Sequence, residues 1–286
     1  MQIKITTDST CDLSEELLKE YEIEVIPLHI LMGGKDYLDR IDIGVEDIFS
    51  HVDAGGEIGT TSAIPPYEYE EFFTKALKGY DAIIHISLSS KISSCFSNAV
   101  IASAQFDHVY VVDSLNLSSS QGLVAIEAAK LASTNDRPLE DILSRLHWLT
   151  QNLETSFVIN CLDYLHKGGR CSAVAALGAN LLNLKPCIEV VDGVMHVGKK
   201  YRGAYEKCIQ QYVRDRLENR SDIINNTVLL TYTSGTALSA VEAAKGMIQQ
   251  YGHFDEILEN KAGCTISSHC GPNTLGVLFI TDNDAD

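Results

Sequence analysis

Through the first half of the chain, short runs of β-branched and apolar residues alternate with stretches whose apolar positions recur at helical spacing. Residues 3–7, 23–30, 82–88 and 109–112 read as strands, and 15–21, 67–77, 94–106 and 122–132 as helices. A βαβα order predicts a mostly parallel sheet covered by helices on both faces. The second half is patterned differently. A Gly-rich turn, Lys167-Gly168-Gly169-Arg170, precedes an Ala/Leu-rich helix near 172–182. Residues 188–197 then form two apolar runs around Asp192-Gly193, a hairpin signal that implies antiparallel pairing. Helices are expected near 204–218 and 237–250, and strands near 228–232, 256–258 and 275–280. The expected fold class is α/β with two domains. Residues 1–158 form a Rossmann-like, three-layer α/β/α unit with a mostly parallel sheet, and residues 159–286 an α+β unit with a mixed sheet, the division falling near 155–165.

Charge changes this picture by dividing it. The 286 residues carry 22 basic and 39 acidic side chains, a net −17, with 45% hydrophobic residues. So acidic a surface is repelled by phosphate backbones and anionic lipids, which argues against a general nucleic-acid binder or an electrostatic membrane anchor. The apolar fraction argues against disorder. Residues 1–160 hold 10 basic and 25 acidic side chains, whereas residues 161–220 hold 10 and 6, so the second half has a locally basic stretch. The eight cysteines are scattered without C-x-x-C, as expected of reduced thiols in a cytoplasmic protein, and residues 1–10 lack a signal-peptide pattern. The longest uncharged stretch, 262–281, is interrupted by Ser267, Ser268, His269, Pro272 and Asn273, so no membrane span is expected.

Candidate chemistry concentrates in hydroxyl-rich segments: Thr7-Asp8-Ser9-Thr10, Thr60-Thr61-Ser62, Ser87 to Ser94, and Asp113-Ser114 with Ser118 to Ser120. In a parallel sheet such segments sit at the carboxyl ends of strands beside helix N-termini, where open α/β sheets bind ligands and neutral donors suit a carboxylate or phosphate. The same residues are also preferred helix caps, and Asp12 with Glu15 reads as a capping box. No P-loop, dinucleotide fingerprint, nucleophile elbow or metal-ligand spacing is present, so no metal and no cofactor is expected. Asp8 and Asp113 are read as structural hydrogen-bonding groups. Arg170, beside two glycines, suits either an anion or a salt bridge to the acidic first half.

Taken jointly, Thr7 to Leu13, Thr61-Ser62 with Pro65, Ser89 to Ser93, Val112-Asp113-Ser114, Leu165 to Arg170, Lys185-Pro186 and His269-Cys270-Gly271-Pro272 resemble the DegV family along essentially the whole chain. The resemblance implies a protein that binds a long-chain fatty acid such as palmitate between its domains. It would present the carboxylate to a separate, dihydroxyacetone-kinase-like fatty acid kinase subunit that forms the acyl phosphate for phospholipid metabolism. Thr61 and Ser93 match the hydroxyls that bind the carboxylate, with Ser62, Arg170 and His269 in the surrounding polar network. Arg202, with Lys199 and Lys200, matches a basic position linked to kinase docking, on a surface that would also touch a membrane transiently. Two departures stand out: Ser93-Ser94-Cys95 where the family often has Ser-Gly-Thr, and Gly271-Pro272-Asn273 where it often has Gly-Pro-Gly. Ser94 would re-aim Ser93 if the backbone there required positive φ, whereas Asn tolerates that geometry. Burying about 15 methylenes at roughly 0.8 kcal/mol each sets an upper bound of about 12 kcal/mol, so the acyl tail supplies affinity and the polar site need only fix the head group. The runner-up is a stand-alone phosphoryl- or acyl-transfer enzyme using the hydroxyl-rich edge, and a third reading is a sensor without a kinase.

Overall fold

The computed structural model of the chain describes residues 1–134, 137–171 and 184–282. The helix expected near 172–182 lies outside them. The strands are β1 (Ile3–Asp8), β2 (Glu24–Ile26), β3 (His29–Met32), β4 (Lys35–Leu38), β5 (Thr60–Ser62), β6 (Ala82–Ser87), β7 (Val109–Asp113), β8 (Leu153–Val158), β9 (Leu184–Val191), β10 (Val194–Arg202), β11 (Ile223–Tyr232), β12 (Glu256–Lys261) and β13 (Leu275–Thr281). The helices are α1 (Glu15–Glu20), α2 (Val45–Asp53), α3 (Pro66–Ala76), α4 (Cys95–Ser103), α5 (Ser118–Ser133), α6 (Leu139–Gln151), α7 (Leu162–Gly168), α8 (Tyr205–Leu217), α9 (Leu238–Tyr251) and α10 (Cys264–Cys270).

The architecture is α/β with two principal sheets. One is fully parallel, in the order β2-β1-β6-β7. The other is mixed, in the order β10-β9-β8-β13-β11-β12, antiparallel except for the β11–β12 pair. β8 belongs to this second sheet although it precedes residue 159. The β9–β10 hairpin turns on Asp192 (φ 51°) and Gly193 (φ 80°), the two left-handed residues a tight hairpin with twisted strands requires.

Burial explains the layering. Every residue of β6 is buried, as a central parallel strand demands. Ile83 packs with Ile26 and Val109 under α3 and α4, while Ile84 and Ile86 pack with Ile5 against α5 and α6. The far side of α5 meets the second sheet at Leu229, Leu278 and Ile280. That sheet's other face, Val228, Leu230, Val277 and Phe279, is covered by α8 and α9 through Tyr212, Val213, Val241 and Ile248. Helix α5 therefore lies between the two sheets, and its Ser- and Ala-rich composition suits the close approach on both sides. Among the described residues no helix is long and apolar enough to cross a membrane.

Three local expectations are corrected. The strand expected over 23–30 is two strands in different sheets, because Pro27 interrupts the ladder; β2 stays parallel and β3 joins a small antiparallel sheet ordered β4-β3-β5. Thr60 to Ser62 are strand β5 of that small sheet rather than a loop at the carboxyl edge of the parallel one. Asp12 does not form a capping box with Glu15: Ser14 caps α1 by accepting from Leu17 N–H. Asp12, left-handed at φ 53°, takes other donors instead.

Candidate functional site

The hydroxyl-rich segments separate into two groups once side chains are placed. Those of α5 are spent inside the protein. Ser118 donates to Asp12 (2.5 Å), Ser119 accepts from Thr231 (2.7 Å), and Ser120 pairs with Thr155 (2.6 Å), all between buried atoms that join α5 to its neighbours. Asp8 accepts from the Leu88 N–H (2.8 Å), the Gln121 amide (3.0 Å) and Thr10, and Asp113 from the N–H groups of Ser90 (3.1 Å) and Leu115 (3.0 Å). Both carboxylates are structural acceptors holding strand ends and loops together.

The second group opens onto a cavity of about 540 Å³, solvent at its mouth included. Thr61 and Ser62 come from β5, Ser93 from the loop before α4, Arg170 from the turn after α7, and His269 from α10. The two halves of the chain thus meet here, and the five residues expected around a head group line one space. Thr61 Oγ1 lies 2.7 Å from His269 Nε2. Burial, and secondarily the charge of Arg170, push the His269 pKa down to about 4, so the ring is neutral at physiological pH. Its Nδ1 has no hydrogen-bond partner among the described residues and faces Gly168, where an added Cβ would fall 2.2 Å from that nitrogen. Glycine at 168 is therefore what lets α7 lie against the imidazole.

Ser93 is both cap and candidate donor. Its Oγ accepts the Cys95 N–H (3.2 Å), while its own proton points at the weakly accepting Cys95 sulfur (3.2 Å), leaving it available to a better acceptor. Ser94 sits at φ −80°, so the departure from glycine there brings no backbone strain. Asn273 does adopt left-handed geometry, at φ 57°, as its tolerance for that region allows. Arg170 makes no salt bridge among the described residues. Its Nη1 donates to the Gly168 carbonyl at 2.7 Å, and the ion pair to the first half is made by Lys167 with Glu57 at 3.2 Å. The cavity therefore combines neutral donors with one cation that no carboxylate compensates, a combination suited to a small anionic group. Among the described residues no cluster of three or more His, Cys, Asp or Glu side chains could hold a metal ion.

Apart from Thr10 and Thr265, the rest of the lining is apolar, including Leu28, Leu88, Ile92, Leu165 and Met195. A second chamber, about 350 Å³ with open solvent included, adjoins the first across a shared wall of Leu117, Phe157, Ile266 and Cys270. Its lining is rich in Ser and Thr, yet these hydroxyls are occupied: Thr155 with Ser120, Ser156 with Tyr212, Thr231 with Ser119, Thr233 with the Thr274 N–H, and Thr274 with the Cys270 carbonyl. None of the five head-group candidates reaches this chamber. Lys199, Lys200 and Arg202 lie elsewhere, on β10 at the edge of the second sheet. There Lys200 and Arg202 are exposed and Lys199 pairs with Asp215 at 2.6 Å.

Residues 2–282 match the family model described as "Uncharacterised protein, DegV family". The chain belongs to the DegV family. A DegV domain-containing protein of Clostridium acetobutylicum is 34% identical over 281 residues, covering 98% of each chain. The structure of a DegV family protein from Thermus thermophilus, described for its fatty acid binding, superimposes with a TM-score of 0.88 at 28% identity, over 98% of this chain and 100% of that one. DegV of Bacillus subtilis, described as a fatty acid binding protein, gives a TM-score of 0.82 at 27% identity, over 99% and 100%.

Of the strings through which the DegV resemblance was legible, Thr10, Thr61, Ser62, Ser93, Leu165, Arg170, His269 and Cys270 line the first chamber. What sequence reasoning missed is the apolar wall and the second chamber. Phe157, Met195 and Ile266 look like ordinary core residues, and only the packing of three separate elements around one space distinguishes them.

Proposed function

We propose that this DegV-family protein binds a long-chain fatty acid, its carboxylate held by Thr61 and Ser93 with Ser62, His269 and Arg170 around them and its chain in the apolar chambers. The observation that carries this reading is the pairing of a largely apolar chamber, whose polar end holds the exposed Arg170 with no carboxylate partner among the described residues, with a second chamber whose hydroxyls are turned to internal partners. A neutral His269 adds a hydrogen-bonding group without repelling Arg170, and the carboxylate supplies the missing negative charge. The fatty acid binding described for the Thermus thermophilus and Bacillus subtilis relatives supports the same ligand.

In this reading the protein is a carrier without catalysis of its own. A separate ATP-dependent fatty acid kinase phosphorylates the bound carboxylate, docking on the β10 edge that exposes Lys200 and Arg202, a face that also touches membranes briefly to exchange lipid. The eight free cysteines support a cytoplasmic setting. Native mass spectrometry of gently purified protein should show a bound acyl chain, and delipidated protein should take up palmitate or oleate; failure of both overturns the reading. Alone, the protein should turn over no ATP, and acyl phosphate should form only with the kinase subunit. ATP consumption by the protein alone would instead favour a phosphoryl-transfer enzyme.

A further inference from the structure

The short helix that carries His269 has an unusual anchor. α10 is seven residues long, too short to persist on its own, and its N-cap is Gly263, which has no side chain to offer the first N–H groups. Those groups are taken by two carboxylates from the other half of the chain. Asp12 accepts from Gly263 N–H at 2.8 Å. Asp39 Oδ1 accepts from Cys264 N–H at 3.2 Å, and Asp39 Oδ2 from Thr265 N–H at 3.2 Å and Thr265 Oγ1 at 2.6 Å. Ser9 Oγ adds a further bond to Asp39 Oδ2 at 2.9 Å. Asp39 is 1% exposed and Asp12 4%. The neighbouring cation, Arg40, donates from Nη2 to the Leu13 carbonyl, and its Nη1 has no partner.

The opposite end of α10 places His269 Nε2 against Thr61, with Nδ1 facing the Gly168 backbone without a partner. Among the described residues that ring has a single hydrogen bond to fix it, so its pose follows where the helix backbone lies. Burying two carboxylates so close together is a costly way to gain stability, and is repaid when it fixes a geometry. We infer that Asp39 is a positioning residue for the head-group site: by capping α10 from across the interface it holds His269 at Thr61, with Asp12 as the second anchor. Asp39 touches no ligand and is absent from the cavity lining. It acts through His269, and this role rests on the fatty-acid reading of the cavity only for its affinity readout.

Asn at 39 would turn an amide N–H₂ toward either the Cys264 N–H or the three donors now converging on Oδ2, so at least one end of the cap is lost. Oleate affinity is compared in the wild type, Asp39→Asn, His269→Gln and the double variant. Each single change is expected to weaken binding by about tenfold, and the double to bind no worse than His269→Gln alone, because residues acting as one unit are non-additive. Independent losses that multiply in the double variant overturn the positioning role. In the ligand-free protein, the His269 ring signals, assigned by comparison with His269→Gln, are expected to shift in Asp39→Asn; unchanged signals also overturn it. That arm needs no fatty acid, so a protein that binds no oleate at all sinks the proposed function and leaves the positioning role to be decided by the ring. If Asp39→Asn does not fold, Ser9→Ala keeps the carboxylate and removes one donor. It is then expected to cost about threefold in affinity, with the same collapse in the His269→Gln background, and additivity there counts against the role in the same way.

Discussion

Two sets of hydroxyls occupy the middle of this molecule, and in the sequence they look alike. Ser118, Ser119 and Ser120 begin α5 and bond to Asp12, Thr231 and Thr155, tying the first sheet's helix layer to the second sheet. Thr61 and Ser93 begin from equally polar strings, yet their neighbours are a neutral imidazole and a thiol, and both face the cavity. The difference is whether the fold supplies the partner. A buried hydroxyl with a strong internal acceptor is part of the scaffold, whereas one left facing a weak or exchangeable partner across an open space is free for a ligand.

The comparison is tested most severely where the first set is packed. A Cβ on Gly122 of α5 would fall 2.6 Å from the Cys11 carbonyl and 2.6 Å from Leu13, so Gly122→Val is expected to cost about 3 kcal/mol or more in urea unfolding. A milder outcome would show that α5 is not held at close contact against residues 11–13 of the first half.

Acidity acts next, and on both sets with opposite sign. The folded-state pKa of His269 lies near 4, below the ordinary 6.5, so its contribution to stability is complete above pH 6.5 and is lost as pH falls toward 4. Asp12 is raised by burial to about 7 from 3.8, so the fold favours its neutral form and loses stability as pH rises from about 4 to 7. The upper bounds are about 3 to 4 kcal/mol for the His269 limb and about 4 kcal/mol for the Asp12 limb. His269→Gln should flatten the acid limb, apart from the part due to buried His85, which lies near 3, and Asp12→Asn should reduce the other, leaving the part due to Asp8, whose carboxyl burial also pushes up. Unfolding midpoints followed from pH 4 to 8 read both.

Single hydroxyl deletions then separate the sets. Ser120→Ala strands the Thr155 hydroxyl and is expected to cost about 2 kcal/mol of stability while leaving oleate affinity unchanged. Thr61→Val keeps the shape and is expected to leave stability within about 1 kcal/mol while weakening oleate binding about tenfold. Stability loss at Thr61, or affinity loss at Ser120, would erase the distinction. Smallest in stability is reversal of Lys199, Lys200 and Arg202 to Glu: the melting curve should shift by no more than about 0.5 kcal/mol and lipid uptake should persist, while phosphorylation by the kinase subunit fails.

The parallel sheet was readable because β6 and β7 are mostly apolar runs and β1 is rich in β-branched residues, and the β9–β10 hairpin because Asp192-Gly193 announces its turn. The small antiparallel sheet was not, since β4 and β5 are short and largely polar. Only Gly33-Gly34, left-handed at φ 59° and 75°, marked the turn between β3 and β4. The head-group candidates were legible as a set of strings rather than from any one of them: Thr61 and His269 touch across 208 residues of sequence, a distance no local pattern spans. Asp39 gave no signal at all, because what makes it important is a helix start 225 residues further on.

The position of α5 has a consequence for how cargo comes and goes. Because α5 packs in one core that both sheets share, the halves are joined through a common layer, and denaturation should proceed as a single transition rather than one half after the other. For the same reason the halves cannot swing apart like covers around a spine. On the proposed fatty-acid reading, an acyl chain would enter and leave by small displacements of the side chains and loops around the cavity, and its residence time would be governed by those local fluctuations rather than by hinge opening.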